Sequence, residues 1–228
     1  MIKEAIVLAG GLGTRLQSVI KDIPKPMADI KGEPFLKYLL DYLSQNGIEK
    51  VILSVGFRHE VIEAYFGNRY KNIELYYAVE DEPLGTGGGI MNALNYSLEN
   101  LVYLINGDTF FNVDLMELFK FHNQTKAEFT LALKPMINFD RYGTVEMNND
   151  RIIRFNEKQY KDEGLINGGI YIVNKYLLKT LSLPGKFSFE KDFLEKYLTH
   201  FFINGCIIDN YFIDIGIPED YKRAQDEL

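Results

Sequence analysis

The sequence has one cysteine, no long apolar run and no surplus of positive charge, and each shortage removes a class of protein. A lone Cys206 forms neither an internal disulfide nor a zinc cluster, and it points to a reducing cytoplasm as the compartment. It lies in the apolar stretch Phe201-Phe202-Ile203-Asn204-Gly205-Cys206-Ile207-Ile208, which reads as a core thiol rather than a nucleophile. No apolar run approaches the ~18 residues of a membrane span. The start, Met1 to Leu8, holds one lysine and a short apolar run that flows into glycines, so it reads as a first strand and not as a signal peptide. The net charge of −7 disfavours nucleic acid, whose phosphate backbone calls for a basic face. Small anions remain open to such a protein if it gathers a few cations, backbone N–H groups or a metal ion locally. Low-complexity tracts and internal repeats are missing, including any hexapeptide repeat after residue 180. His59, His122 and His200 have no metal-ligand spacing and read as structural or surface residues.

What is present suits one globular domain over residues 1–228, with 46% of the chain apolar. The first half alternates strand-like and helix-like patterns. Short apolar runs at Ala5–Ala9, Lys50–Val55, Glu74–Val79 and Leu101–Ile105 read as strands. Helical spacing covers Phe35–Gln45, Glu60–Phe66 and Gly89–Leu98. This rhythm predicts an α/β fold, a three-layer α/β/α Rossmann-like architecture with a mixed, mostly parallel central sheet. After about residue 125 the pattern changes. Phe129–Leu133, Gly143–Met147, Ile152–Phe155 and Ile170–Val173 predict a small β excursion that extends the sheet. A helix near Phe189–Leu198 and a terminal helix from Pro218 follow.

Several segments carry chemistry. Leu8-Ala9-Gly10-Gly11-Leu12-Gly13-Thr14-Arg15-Leu16 follows a strand and opens a helix. Glycines there let backbone N–H groups approach an anion, and the helix start adds a positive dipole end. A tight turn alone would look similar, and the spacing fits neither G-x-G-x-x-G nor a Walker A loop. The guanidinium of Arg15 can clamp phosphate oxygens in two places. In Ile23-Pro24-Lys25-Pro26-Met27, prolines on both sides predict an extended backbone that holds the Lys25 ammonium in place, unless it is an ordinary surface turn. Asp108, in Leu104-Ile105-Asn106-Gly107-Asp108, lies just past a buried strand, where ligands bind in parallel sheets; a helix N-cap is the alternative reading.

The pair G-G-x-G-T-R-L and P-K-P-M resembles the signature of the sugar-1-phosphate nucleotidyltransferases, and the likeness continues along nearly the whole chain. The resemblance implies that residues 1–125 bind the nucleotide and residues 126–228 the sugar phosphate. It places Leu8, Ala9, Gly10, Gly11, Gly13 and Thr14 around the triphosphate, Arg15 on the leaving pyrophosphate and Lys25 near the reacting centre. It places the base at Glu80-Asp81-Glu82-Pro83-Leu84-Gly85-Thr86, with Glu80, Gly85 and Thr86 as contacts. Asp214, in Phe212-Ile213-Asp214-Ile215-Gly216-Ile217-Pro218, resembles the aspartate that completes a metal site with Asp108. Mg²⁺ suits one or two carboxylates plus phosphate oxygens. By the same resemblance Gly143, Glu157, Lys158, Asn167 and Gly168 hold the sugar phosphate, although Glu157-Lys158 alone also reads as a solvated pair.

A carboxylate only accepts hydrogen bonds, and guanine offers two adjacent donors where uracil offers one beside acceptors. Glu80 therefore favours GTP, with Glu82 as a rival for the role. The implied reaction joins a nucleoside monophosphate from an NTP to a sugar 1-phosphate and releases pyrophosphate. The resulting NDP-sugar would serve surface polysaccharide synthesis. Arg15, Lys25, Asp108, Lys158 and Asp214 carry catalysis in this reading. The short length and the E-P-L-G-T-G-G-G segment are similar to the branch that guanylylates a heptose 1-phosphate. Uridylyltransferases, mannose-1-phosphate guanylyltransferases and an inactive, nucleotide-sugar-binding regulatory subunit are the alternatives. The aromatic-rich stretch from Tyr197 to Phe212 is either core or the interface of a homo-oligomer.

Overall fold

The computed structural model describes residues 1–11 and 23–228. The strands in chain order are β1 (Glu4–Leu8), β2 (Asp29–Ile30), β3 (Glu33–Pro34), β4 (Lys50–Val55), β5 (Arg69–Tyr70), β6 (Ile73–Val79) and β7 (Leu101–Asn106). They continue with β8 (Thr109–Phe111), β9 (Phe129–Phe139), β10 (Thr144–Asn148), β11 (Arg151–Phe155), β12 (Lys161–Asn174), β13 (Ile203–Ile207) and β14 (Phe212–Asp214). The helices are α1 (Phe35–Gln45), α2 (His59–Phe66), α3 (Gly85–Ala93), α4 (Leu115–Gln124), α5 (Lys175–Lys179) and α6 (Pro218–Glu227).

Ten strands form one sheet in the order β10-β11-β13-β9-β12-β7-β1-β4-β6-β5. The parallel ladders β7-β1-β4-β6 come from the first half of the chain, as the strand–helix alternation predicts. The excursion after residue 125 supplies β9 to β13, which pair mostly antiparallel and join the first half through β12 beside β7. Successive side chains of a strand point to opposite faces, and the core divides accordingly. Ala5 and Val7 face α1, α2, α4 and α6, while Ile6 faces α3, α5 and the segment around Phe189 and Phe193. Tyr197 and Phe201 pack into this second core, whereas Phe202 is exposed. Among the described residues no helix is long and apolar enough to cross a membrane.

Several elements differ from the sequence expectation: β9 and β12 run beyond Phe129–Leu133 and Ile170–Val173, and β2, β3, β5, β8, β13, β14 and α5 have no counterpart in it. α3 begins at Gly85, four residues before the helix expected from Gly89, and ends at Ala93. Its glycine run has poor helix propensity, yet tertiary packing overrides it. α4 has no counterpart in the expectation, although Leu115, Leu118 and Phe119 give it an apolar face, and Asp114 caps it by accepting from the N–H groups of Met116 and Glu117 at 2.9 and 3.0 Å. In place of a long helix at 189–198 there is a π-helical turn over Phe189–Leu194, in which Glu195 N–H donates to Glu190 O at 2.9 Å.

Cys206 is half-buried, and burial pushes its thiol up to about 11, which suits an inert packing role. His122 on α4 is buried against Thr130, with Nδ1 at 2.8 Å from Oγ1, and burial pulls its pKa down to about 4. The unfolded chain therefore binds a proton at His122 that the folded chain refuses. Stability is full above the ordinary histidine value and falls as pH drops towards 4. Chemical denaturation of the wild type and of His122→Gln should show a wild-type loss on the order of 1–2 kcal/mol between pH 6.5 and 4 that the variant lacks.

Candidate active site

The carboxyl ends of β1, β4 and β7 open into a cleft of about 760 Å³. Parallel strands leave their C-terminal ends free of the crossover helices, and ligands bind there. Leu8, Gly10 and Gly11 line one wall, and Asn106, Gly107 and Asp108 line the next. Ala9 lies buried behind them, its N–H donating to Ser54 O at 2.8 Å. Gly13, Thr14 and Arg15 of the glycine loop lie outside the described residues.

Lys25 does not sit on an extended backbone. The prolines instead build a short 3-10 turn over Lys25–Met27, in which Met27 N–H donates to Pro24 O at 2.8 Å. Pro24 caps the turn and Pro26 takes its second position, where the missing N–H would have no partner within the turn. The expected rigidity follows from this turn, with the Lys25 side chain only 11% exposed. Its ammonium lies 2.6 Å from Asp108 Oδ2 and 3.9 Å from Asp214 Oδ1.

The two aspartates meet because β8 and β14 form a separate antiparallel ribbon in which Thr109 is opposite Asp214. Ile215 N–H closes the ribbon on Asp108 O at 3.0 Å. Asp108 therefore caps no helix. Gly216 N–H donates to Asp214 Oδ1 at 2.7 Å, and the Tyr142 hydroxyl donates to Oδ2 at 3.4 Å. Behind Tyr142, the Arg141 guanidinium pairs with buried Asp220. Burial and then the charge of Asp108 raise the pKa of Asp214, with Lys25 acting the other way. Two carboxylates thus share one ammonium, and the donor set is hard oxygen. Among the described residues no three His, Cys, Asp or Glu side chains cluster to form a protein cage for a metal. A pair of carboxylates with phosphate oxygens completing the shell fits Mg²⁺.

At the other end of the cleft stand Glu80, Asp81, Pro83, Gly85 and Thr86, with Phe57 and Glu190. Glu82 does not line the cleft. Gly85 adopts φ +73°, and a side chain there would meet Phe187 O at 2.5 Å. The Thr86 hydroxyl donates to Glu190 Oε2 at 2.9 Å and accepts from Phe189 N–H at 2.9 Å, tying α3 to the π-helical turn.

None of the expected sugar-phosphate residues is among those lining the cleft. Asn167 and Gly168 lie on β12 beside the ribbon, with Asn167 Nδ2 donating to the Tyr171 hydroxyl at 2.8 Å. Gly143 immediately follows Tyr142, and a Cβ there would meet Asn156 O at 2.5 Å. Glu157 and Lys158 are not brought to the cleft. Both are exposed in the segment after β11, and Glu157 lies 3.7 Å from Lys191. Sequence reasoning passed over Ser54, Asn106 and Glu190. Ser54 and Asn106 carried a signal, since each is a polar residue at the end of an apolar strand; Glu190 carried none.

A model of the nucleotidyl transferase family matches residues 4–228. The chain belongs to the nucleotidyl transferase family. Among the family's members, D-glycero-alpha-D-manno-heptose 1-phosphate guanylyltransferase of Aneurinibacillus thermoaerophilus is 56% identical over 99% of this chain and 98% of its own. The protein of that same name from Campylobacter jejuni subsp. jejuni serotype O:2 is 49% identical over 96% of each chain. The crystal structure of HddC from Yersinia pseudotuberculosis complexed with GMP-PN superimposes with a TM-score of 0.89 at 36% identity, covering 99% of both chains. The α/β fold is that of this nucleotidyl transferase structure.

The ribbon depends on close packing at Gly168, where an added Cβ would stand 2.5 Å from the Phe111 ring and 3.0 Å from Ala132 O. Gly168→Ala should therefore cost about 1–3 kcal/mol of stability through overpacking, and it should lower turnover by shifting the strand beside Asp108. Denaturant titration and a pyrophosphate-release assay check both effects.

Proposed function

We propose that this enzyme transfers a guanylyl group from GTP to D-glycero-alpha-D-manno-heptose 1-phosphate, releasing pyrophosphate and forming a GDP-heptose for surface polysaccharide synthesis. The observation that carries this reading is the two-ended cleft. Lys25 and Asp108 line it, with Asp214 Oδ1 3.9 Å from the Lys25 ammonium, and Glu80 lines it together with Gly85 and Thr86. The two relatives of 56% and 49% identity bear the name of this activity, and nearly their whole length is matched.

The chemistry needs little covalent help. A phosphate oxygen of the sugar phosphate attacks the α-phosphorus, and the bond from that phosphorus to the bridging oxygen breaks to release pyrophosphate. The nucleophile is already an anion, so no strong base is required. Positioning and charge neutralisation supply the acceleration. Backbone N–H groups of Gly10 and Gly11 approach the triphosphate, and Arg15 and Lys25 offset its charge. Asp108 and Asp214 would hold Mg²⁺, which supplies Lewis-acid neutralisation of the reacting phosphates when bound. Gly143, Asn167 and Gly168 border the sugar side. Lys158 and Glu157 lie outside the cleft in this structure, so a sugar-phosphate role for them rests on the family resemblance alone. In this division residues 1–125 carry the nucleotide and residues 126–228 the sugar phosphate. Glu80 accepts from the N1–H and 2-amino groups of guanine. The lone, half-buried Cys206 suits a reducing cytoplasm.

A matrix of GTP, UTP, dTTP and CTP against heptose, mannose and glucose 1-phosphates, read by pyrophosphate release, tests the assignment. The GTP and heptose pair should dominate; a higher rate with another pair would replace the reading. Asp108→Asn should lower turnover by roughly 10³-fold or more with little change in melting temperature, and a near-normal rate would remove the metal assignment. Glu80→Gln should narrow the advantage of GTP over the pyrimidine nucleotides about tenfold or more.

A further inference from the structure

The base end of the cleft contains a device for aiming one carboxylate. Ser54 is the only hydroxyl in the apolar strand β4, and it is 1% exposed. A buried hydroxyl is costly unless it is hydrogen-bonded. Ser54 spends its proton on Glu80, with Oγ donating to Oε1 at 3.1 Å. The other oxygen, Oε2, accepts from Leu84 N–H at 3.0 Å, just before α3 begins. Glu80 N–H is itself tied to Val55 O at 2.8 Å. Backbone and both carboxylate oxygens are thus held, while each oxygen keeps a second lone pair for a ligand.

The room for this arrangement is made by Gly89 in α3. A Cβ built there would lie 2.5 Å from Glu80 Oε1 and 2.8 Å from Ser54 Oγ. Helix propensity argues against glycine at this position, so its presence needs a packing reason, and the carboxylate packed against its Cα is that reason.

We infer that Ser54 and Gly89 are positioning residues for nucleobase discrimination: the first anchors the Glu80 carboxylate and the second vacates the space it fills. This rests on the reading of Glu80 as the acceptor of guanine N1–H and its 2-amino group. Two fixed oxygens side by side match two parallel donors, whereas a carboxylate free to rotate would accept from one donor as readily as from two. The chemical feature read by the site is therefore the exocyclic amine.

Inosine triphosphate differs from GTP only by lacking that amine, so the ratio of kcat/KM for GTP over ITP isolates the effect. The ratio is measured by pyrophosphate release for the wild type, Ser54→Ala and Gly89→Ala, with thermal melts to confirm folding. The wild type should favour GTP by roughly tenfold or more, and each variant should bring the ratio to within about twofold of one. A merely structural role would lower both nucleotides alike and leave the ratio intact. A wild type that does not distinguish the two nucleotides sinks the Glu80 reading itself. A discriminating wild type whose variants keep the full ratio overturns the positioning inference alone. Each residue is judged by its own variant. Should Ser54→Ala fail to fold, Ser54→Cys, which keeps the volume but only a weak S–H donor, takes its place, and the same ratio decides.

Discussion

Two carboxylates held against one ammonium form the constraint on which the site depends. Asp108 follows β7, Asp214 ends β14, and Lys25 rides on a proline-bounded turn, so three distant segments must arrive together. Like charges repel at this range unless a cation lies between them. The ammonium supplies that compensation in part, while burial first and the charge of Asp108 second keep the pKa of Asp214 raised. A pair of carboxylates at this range is a donor set that suits a divalent cation. The surrounding ribbon, the Tyr142 hydroxyl and the Arg141–Asp220 pair resist the separation that repulsion would otherwise cause.

The cleft itself owes its shape to missing side chains. Gly85 and Gly89 stand where a Cβ would strike Phe187 O or Glu80, and Gly168 and Gly169 let β12 pass Phe111 and Asn106. These glycines weaken helix and strand locally. The structure tolerates that because β12 pairs with β9 before and after the irregularity at Asn167–Tyr171 and with β7 from Ile170 on, and α3 packs on the sheet beneath and the π-helical turn beside it. Stability is drawn from the two apolar cores, and the site is carved where backbone must come close to a ligand.

Much of the fold was legible. The apolar runs of β1, β4, β6 and β7 and the spacing of α1 are strong periodic signals, and the structure follows them closely. Weaker elements were missed where the deciding force is not periodicity. α3 begins in glycines that packing alone makes helical, and β5 is only two residues long. The Pro24–Pro26 segment was expected to be extended, because proline biases the residue before it. Its closure into a turn reflects burial of Pro26 and Met27 beneath α1.

Residue types and order by themselves determined the α/β alternation, the family signature and the candidacy of the glycine loop, Asp108, Asp214, Lys25 and Glu80. These are local properties, since periodicity, loop chemistry and strand ends are written within a few neighbouring positions. Only the tertiary structure decided that Asp108 and Asp214 share one ammonium, that Ser54 and Gly89 aim Glu80, and that Glu190 joins the wall of the cleft. Each of those contacts joins segments distant in the chain, and their distances depend on strand register and core packing, which no local pattern encodes.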